Sequence, residues 1–143
     1  MFVSSGVSQA GACLNSEKNI TLERLSEIRS ESESYLNKNM KSYGTELYME
    51  HISCIEDTYE TEAMLAYINK KYSKSIEASG NLLGMEPSYA KAFFYFVMAA
   101  YESKNEVILE RALKLYPKIS ERNISDKFYK NVAGSVLKIS NGN

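Results

Sequence analysis

Residues Tyr89 to Tyr101 read YAKAFFYFVMAAY, thirteen positions with Lys91 as the one charged side chain. A helix made of this stretch has no polar face, so it cannot lie on a surface and has to be covered by other elements. Pro87, two residues upstream, suits a first helical position, where no backbone hydrogen bond is lost. The stretch therefore predicts a buried central helix over 87–103. Its longest uninterrupted apolar run, Ala92 to Tyr101, is ten residues, about half of the roughly 18 to 20 that a membrane span needs.

Outward from this helix, apolar residues recur at helical spacing on both sides. Upstream, Ile20, Leu22, Leu25, Ile28, Leu36 and Met40 mark a helix from about Leu22 to Ser42 with Thr21 as its N-cap. Its middle, Arg29 to Ser34, holds no apolar residue. Gly44 and Thr45 read as a stop and a restart. Leu47, Met49, Ile52, Ile55 and Tyr59 give a second stripe, and Asp57-Thr58-Tyr59-Glu60 matches a capping box that would open a third helix. That helix carries Met64, Leu65, Ile68, Tyr72 and Ile76 and is expected to end at Gly80-Asn81.

Downstream, Ser103-Lys104-Asn105-Glu106 supplies another capping box for a helix containing Val107, Ile108, Leu109, Ala112, Leu113 and Tyr116, which Pro117 ends. Ser125 is the expected cap of a last helix, with Phe128, Val132, Val136 and Ile139 as its packing stripe. The expected fold class is all-α: a compact bundle of five or six helices, grouped as three hairpins starting near Thr21, Thr61 and Asn105. A spacing of roughly 40 residues also fits stacked two-helix repeats. Ala112 to Pro117, ALKLYP, resembles the end of a tetratricopeptide repeat, but the Trp, Leu-Gly and Tyr positions that precede it in that repeat hold other residues. A bundle is accordingly expected over an open solenoid.

The chain has 143 residues, 44% apolar and 24% charged, enough for one core and short for two domains of usual size. The expected organisation is a polar N-terminal segment, 1–19, followed by a helical domain, 20–143. Ser8-Gln9-Ala10 has the small residues of a signal-peptidase site, but the basic and apolar regions that precede such a site are missing, so the segment reads as a possible remnant of an export signal. Cys13 and Cys54 are the two cysteines. Paired, they imply an oxidising compartment, periplasmic or secreted; unpaired, they imply a reducing cytosol.

Net charge is -1, without the basic footprint of a nucleic-acid binder, and no nucleic-acid partner is expected. His51, the one histidine, stands three residues before Cys54 on a helix face, an arrangement open to a thiolate enzyme. No carboxylate is placed to orient the pair, and fewer than four nitrogen and sulfur ligands are available for a zinc site. GxxxxGK[ST], GxGxxG and GxSxG are absent, so no metal and no cofactor are expected.

From Thr45 to Glu62 there are six carboxylates and no Lys or Arg, whereas from Asn105 onward seven basic residues accompany four acidic ones. The acidic band reads either as charges that favour helix N-termini or as a surface steering a basic partner. Tyr48 and Tyr59 are the candidate anchors of such a surface, and Glu50, Glu56 and Glu60 its steering charges. Tyr43 and Tyr67, in or near the band, belong to the same candidate aromatic cluster, while Tyr89, Tyr95 and Tyr101 are expected in the core. The functional expectation is a non-enzymatic helical module that binds another protein, of the size of an exported bacterial accessory, inhibitor or immunity-type protein. The alternatives are a small thiol enzyme using Cys54 with His51, and a cytosolic adaptor resembling helical repeats.

Overall fold

The computed structural model describes residues 12–142; the signal-like residues Ser8 to Ala10 lie outside them. The protein is all-α: among the described residues 79% are helical and none is in a strand. Among the described residues six α-helices follow one another: α1 (Leu22–Lys38), α2 (Glu46–Ile68), α3 (Tyr72–Met85), α4 (Ala90–Glu102), α5 (Glu106–Leu115) and α6 (Ile124–Ser140). Short 3-10 turns occupy Ala12–Leu14, Met40–Ser42 and Tyr116–Lys118. The chain divides into two units, residues 1–61 and 62–143, and the division falls inside α2.

In the first unit, Thr21 caps α1 as expected, its hydroxyl accepting the amide of Arg24 at 3.0 Å. α1 stops at Lys38, four residues short of the expected end, and a 3-10 turn carries the chain to Gly44, whose φ of 89° no larger residue adopts easily. Thr45 then accepts the amide of Tyr48 at 3.2 Å and opens α2.

The expected break at Asp57-Thr58 does not occur. Thr58 is fully buried, and its hydroxyl donates to the Ile55 carbonyl at 2.8 Å, the back-bonding that lets threonine sit inside a helix. α2 ends instead at Asn69-Lys70. Lys70 takes φ of 61°, and the amide of Lys71 reaches back to the Ala66 carbonyl at 2.7 Å. The same closure recurs at the end of α4, where Lys104 has φ of 57° and the amide of Asn105 meets the Ala100 carbonyl at 2.9 Å. A glycine usually fills that left-handed position. With lysine there, both stops lack their sequence signature.

In the second unit, α3, α5 and α6 all pack on α4. Ala90, Ala92, Phe93, Tyr95, Phe96, Val97, Ala99 and Ala100 are buried, so the central helix holds. Its start is three residues later than expected. Pro87 sits at the second position of a tight turn, closed by the Tyr89 amide on the Glu86 carbonyl at 3.1 Å, the place its fixed φ suits best. Gly80-Asn81 is not a helix end either; α3 runs through it, and Ser75, Ala78, Ser79, Leu82 and Leu83 form its buried face. Ser75 donates to the Ala63 carbonyl at 2.8 Å, tying α3 to the end of α2.

Asn105, two residues after the expected Ser103, caps α5, and Asn123, two before Ser125, caps α6. The third expected hairpin gives way to α6 returning to α4. Tyr101 is 38% exposed rather than in the core. The largest correction concerns α6: Phe128 and Ile139, expected inside, are 60% and 64% exposed, and Ala133 and Leu137 are the residues buried in their place.

Candidate functional site

The first unit holds the site. Cys13, in the 3-10 turn of 12–14, forms a disulfide with Cys54 of α2, with Cα atoms 5.8 Å apart. Glu17 follows on the same segment and receives two hydrogen bonds from Arg24 of α1, Nε to Oε1 at 2.9 Å and Nη2 to Oε2 at 3.1 Å. Arg24 also donates to Glu27 at 3.1 Å. These bonds from Arg24 hold the Glu17 carboxyl below its ordinary value of 4.5, against a weaker upward push from partial burial. The disulfide and the Arg24 fork together fix the segment 13–17 beside α1 and α2.

An open-sided cavity of about 400 Å³ lies along this segment. Two helical stripes complete it, Arg24, Ile28 and Glu31 at spacings of four and three on α1, and Leu47, Glu50, His51 and Cys54 at three, one and three on α2. Ile28 is buried, whereas Glu31, Leu47 and Glu50 are exposed. His51 Nδ1 and the Ser32 hydroxyl, itself 4% exposed, share a hydrogen bond of 3.0 Å, and the Tyr35 ring stacks on the imidazole at 4.1 Å between centroids. The imidazole is thus held by a partner on its edge and a ring on its face. Arg24 is engaged by Glu17 and Glu27, so Glu31 and Glu50 give the cavity an acidic rim.

The residues singled out from the sequence separate in space. Cys13, Cys54 and Glu50 line the cavity; Tyr48, Glu56, Tyr59 and Glu60 do not. Tyr48 is 6% exposed and cannot serve as an accessible anchor, while Tyr43, which meets its ring edge-on at 5.4 Å, is 77% exposed. The Tyr59 ring lies beneath the Arg29 guanidinium at 4.2 Å. Glu56, Asp57 and Glu60 are half-buried and each takes part in an interaction within the fold, and Glu62 is 4% exposed with Lys74 Nζ at 3.9 Å. The acidic band is therefore no continuous row of solvent-facing charges.

Leu47 and Glu31 were not singled out from the sequence as site residues, whereas Tyr43 was, within the candidate aromatic cluster. The signal that finds the first two is the cysteine pair itself, because linking Cys13 to Cys54 sets the segment against the α2 face that repeats through 47, 50, 51 and 54 and against α1. The sulfur of Cys54 is bonded to Cys13, so the thiolate that the His51 enzyme alternative requires is not present in the oxidised protein. Among the described residues, no three His, Cys, Asp or Glu side chains come together as a metal site. Nor is any described helix long and apolar enough to cross a membrane. No protein-family model, curated protein or solved structure matches the chain.

Proposed function

We propose that the protein is a non-catalytic binding module whose cavity beside Cys13–Cys54 receives a basic side chain presented by a partner protein. The observation that carries this reading is the composition of the cavity, whose lining joins the apolar Ile28 and Leu47 to the exposed carboxylates Glu31 and Glu50. A lysine or arginine has the matching form, an apolar stem with a cationic end. Leu47, which lines the cavity and is 51% exposed, supplies apolar contact area, as partner surfaces commonly do around a charged contact. The disulfide supports an exported setting, where such bonds persist, and with it the reading of an accessory or inhibitory protein.

The test uses labelled octapeptides that place one arginine or lysine between apolar residues, alongside counterparts with glutamate in its place. The basic set should bind about tenfold more tightly, with the margin shrinking as salt rises. Glu31→Gln with Glu50→Gln should abolish the preference without changing helix content, since both side chains are exposed. Equal binding of the two sets, or binding of neither, overturns the proposal.

A further inference from the structure

α6 has two apolar faces. One is spent on the second unit, where Ala133 and Leu137 are 0% and 2% exposed and Tyr129 packs on Phe94 at 5.1 Å. The other faces away. Ile124, Phe128 and Ile139 are 85%, 60% and 64% exposed, with Val132 and Val136 half-buried between them. Positions 124, 128, 132 and 139 fall on one side of a helix, and over fifteen residues they make a ridge about 22 Å long. Three large apolar side chains aligned in this way differ from the scattered exposed residues that any surface carries.

A hollow of about 540 Å³ runs beside the ridge, lined by Asn131, Ser135 and Lys138 of α6 and reaching Tyr116 and Leu113. Gly134 shapes it. A methyl group there would lie 2.8 Å from Tyr116 Cζ and closer still to the hydroxyl, so the absent side chain is what lets the Tyr116 ring approach α6. Lys127 and Lys138, both exposed, stand on the hollow side of the ridge, since eleven residues are close to three helical turns. No acidic residue follows Asp126 in the chain.

We infer that the ridge and hollow of α6 dock an amphipathic helix of another protein, with apolar residues facing Phe128 and carboxylates flanking them to meet Lys127 and Lys138. The charge pattern selects this occupant. In an antiparallel pair of α6 helices related by a two-fold axis, the lysine flank of one copy meets the lysine flank of the other. A parallel pair offers these lysines no carboxylate either, because α6 has none beyond the inward Asp126. A bilayer interior is a poorer match than a helix, because Asn131 and Ser135 interrupt the apolar surface with groups that need hydrogen-bond partners. The residues of this surface are none of those that line the cavity of the first unit, and their charge is of the opposite sign.

The probe is a synthetic helical peptide of about 18 residues, long enough for the ridge, with leucines on one face and glutamates beside them. A second peptide carries lysine at every glutamate position. By fluorescence anisotropy the glutamate peptide should bind about tenfold more tightly than the lysine peptide. Phe128→Asp should weaken it by at least about tenfold, and Lys127→Glu with Lys138→Glu should reverse the preference between the two peptides. The double lysine variant reads charge alone and keeps the test valid should Phe128→Asp disturb folding. Equal binding of both peptides, or of neither, overturns the proposal. So does a dimer in sedimentation that Phe128→Asp dissolves, or binding to phosphatidylcholine–phosphatidylserine vesicles without a peptide preference.

Discussion

The two units reach order by different means. Residues 62–142 bury eighteen apolar side chains, among them Phe93, Phe96, Leu82 and Leu137, while residues 12–61 bury six, Leu22, Leu25, Ile28, Tyr48, Cys54 and Ile55. The first unit adds the Cys13–Cys54 bond, the Glu17–Arg24 fork and the Arg29 guanidinium over Tyr59. A small core commonly needs such covalent help. The second unit shows what a larger apolar supply allows: α4 covered by its neighbours, with apolar residues left over on the outer face of α6.

The largest expected effect lies in the second unit. Phe93 is fully buried in the first turn of α4 and stacks near Tyr116 at 6.1 Å. Phe93→Ala removes a ring from a close-packed interior and should cost roughly 3 to 5 kcal/mol in chemical denaturation. A loss under about 0.5 kcal/mol would mean that α4 is not the element on which this unit is built. Phe128→Ala, by contrast, should change stability by less than about 0.5 kcal/mol, because its ring is already 60% exposed.

The disulfide comes next. It closes a loop with a sequence separation of 41, and chain entropy sets its contribution at roughly 3 to 4 kcal/mol. Cys13→Ser with Cys54→Ser should lower hydrogen-exchange protection in α1 and the first turns of α2 while the amides of α4 keep theirs. Equal loss in both units would show that they unfold together, and the contrast drawn above would fail as a description of energetics.

The same contrast explains what was legible in the sequence. Burial of α4 follows from composition, because a helix without a polar face has one destination. The orientation of α6 does not follow from its pattern, because both of its faces offer apolar residues. Gly134 is what admits the Tyr116 ring, and the small Ala133 and the neighbouring Leu137 are the residues buried on that side of the helix. Helix ends were legible where a cap bonds in its usual way, as at Thr21 and Thr45, and were hidden where Lys70 and Lys104 take the place of glycine. Of the candidate site, Cys13, Cys54 and Glu50 were in view. Tyr48 was misplaced because an aromatic residue in an acidic stretch serves burial and recognition equally well.

The smallest expected effect concerns the charged fork that supplements the first unit. Arg24 holds the Glu17 carboxyl below 4.5, so in the folded protein this group releases its proton more readily than in the unfolded chain. The sign of the linkage follows: the stabilisation is present above the ordinary value and is lost as pH falls through the lower, folded one. The pair is near the surface, where solvent and salt weaken such interactions, so the titration is a more sensitive readout than overall stability. In a carbon-detected NMR titration, Glu17 should have a midpoint below the ordinary glutamate value. Arg24→Gln should raise that midpoint and loosen the segment between Cys13 and Thr21, while the shifts of α4 stay in place. If the Glu17 midpoint is the same with and without Arg24, the fork does not bind the segment, and the disulfide alone holds it against α2.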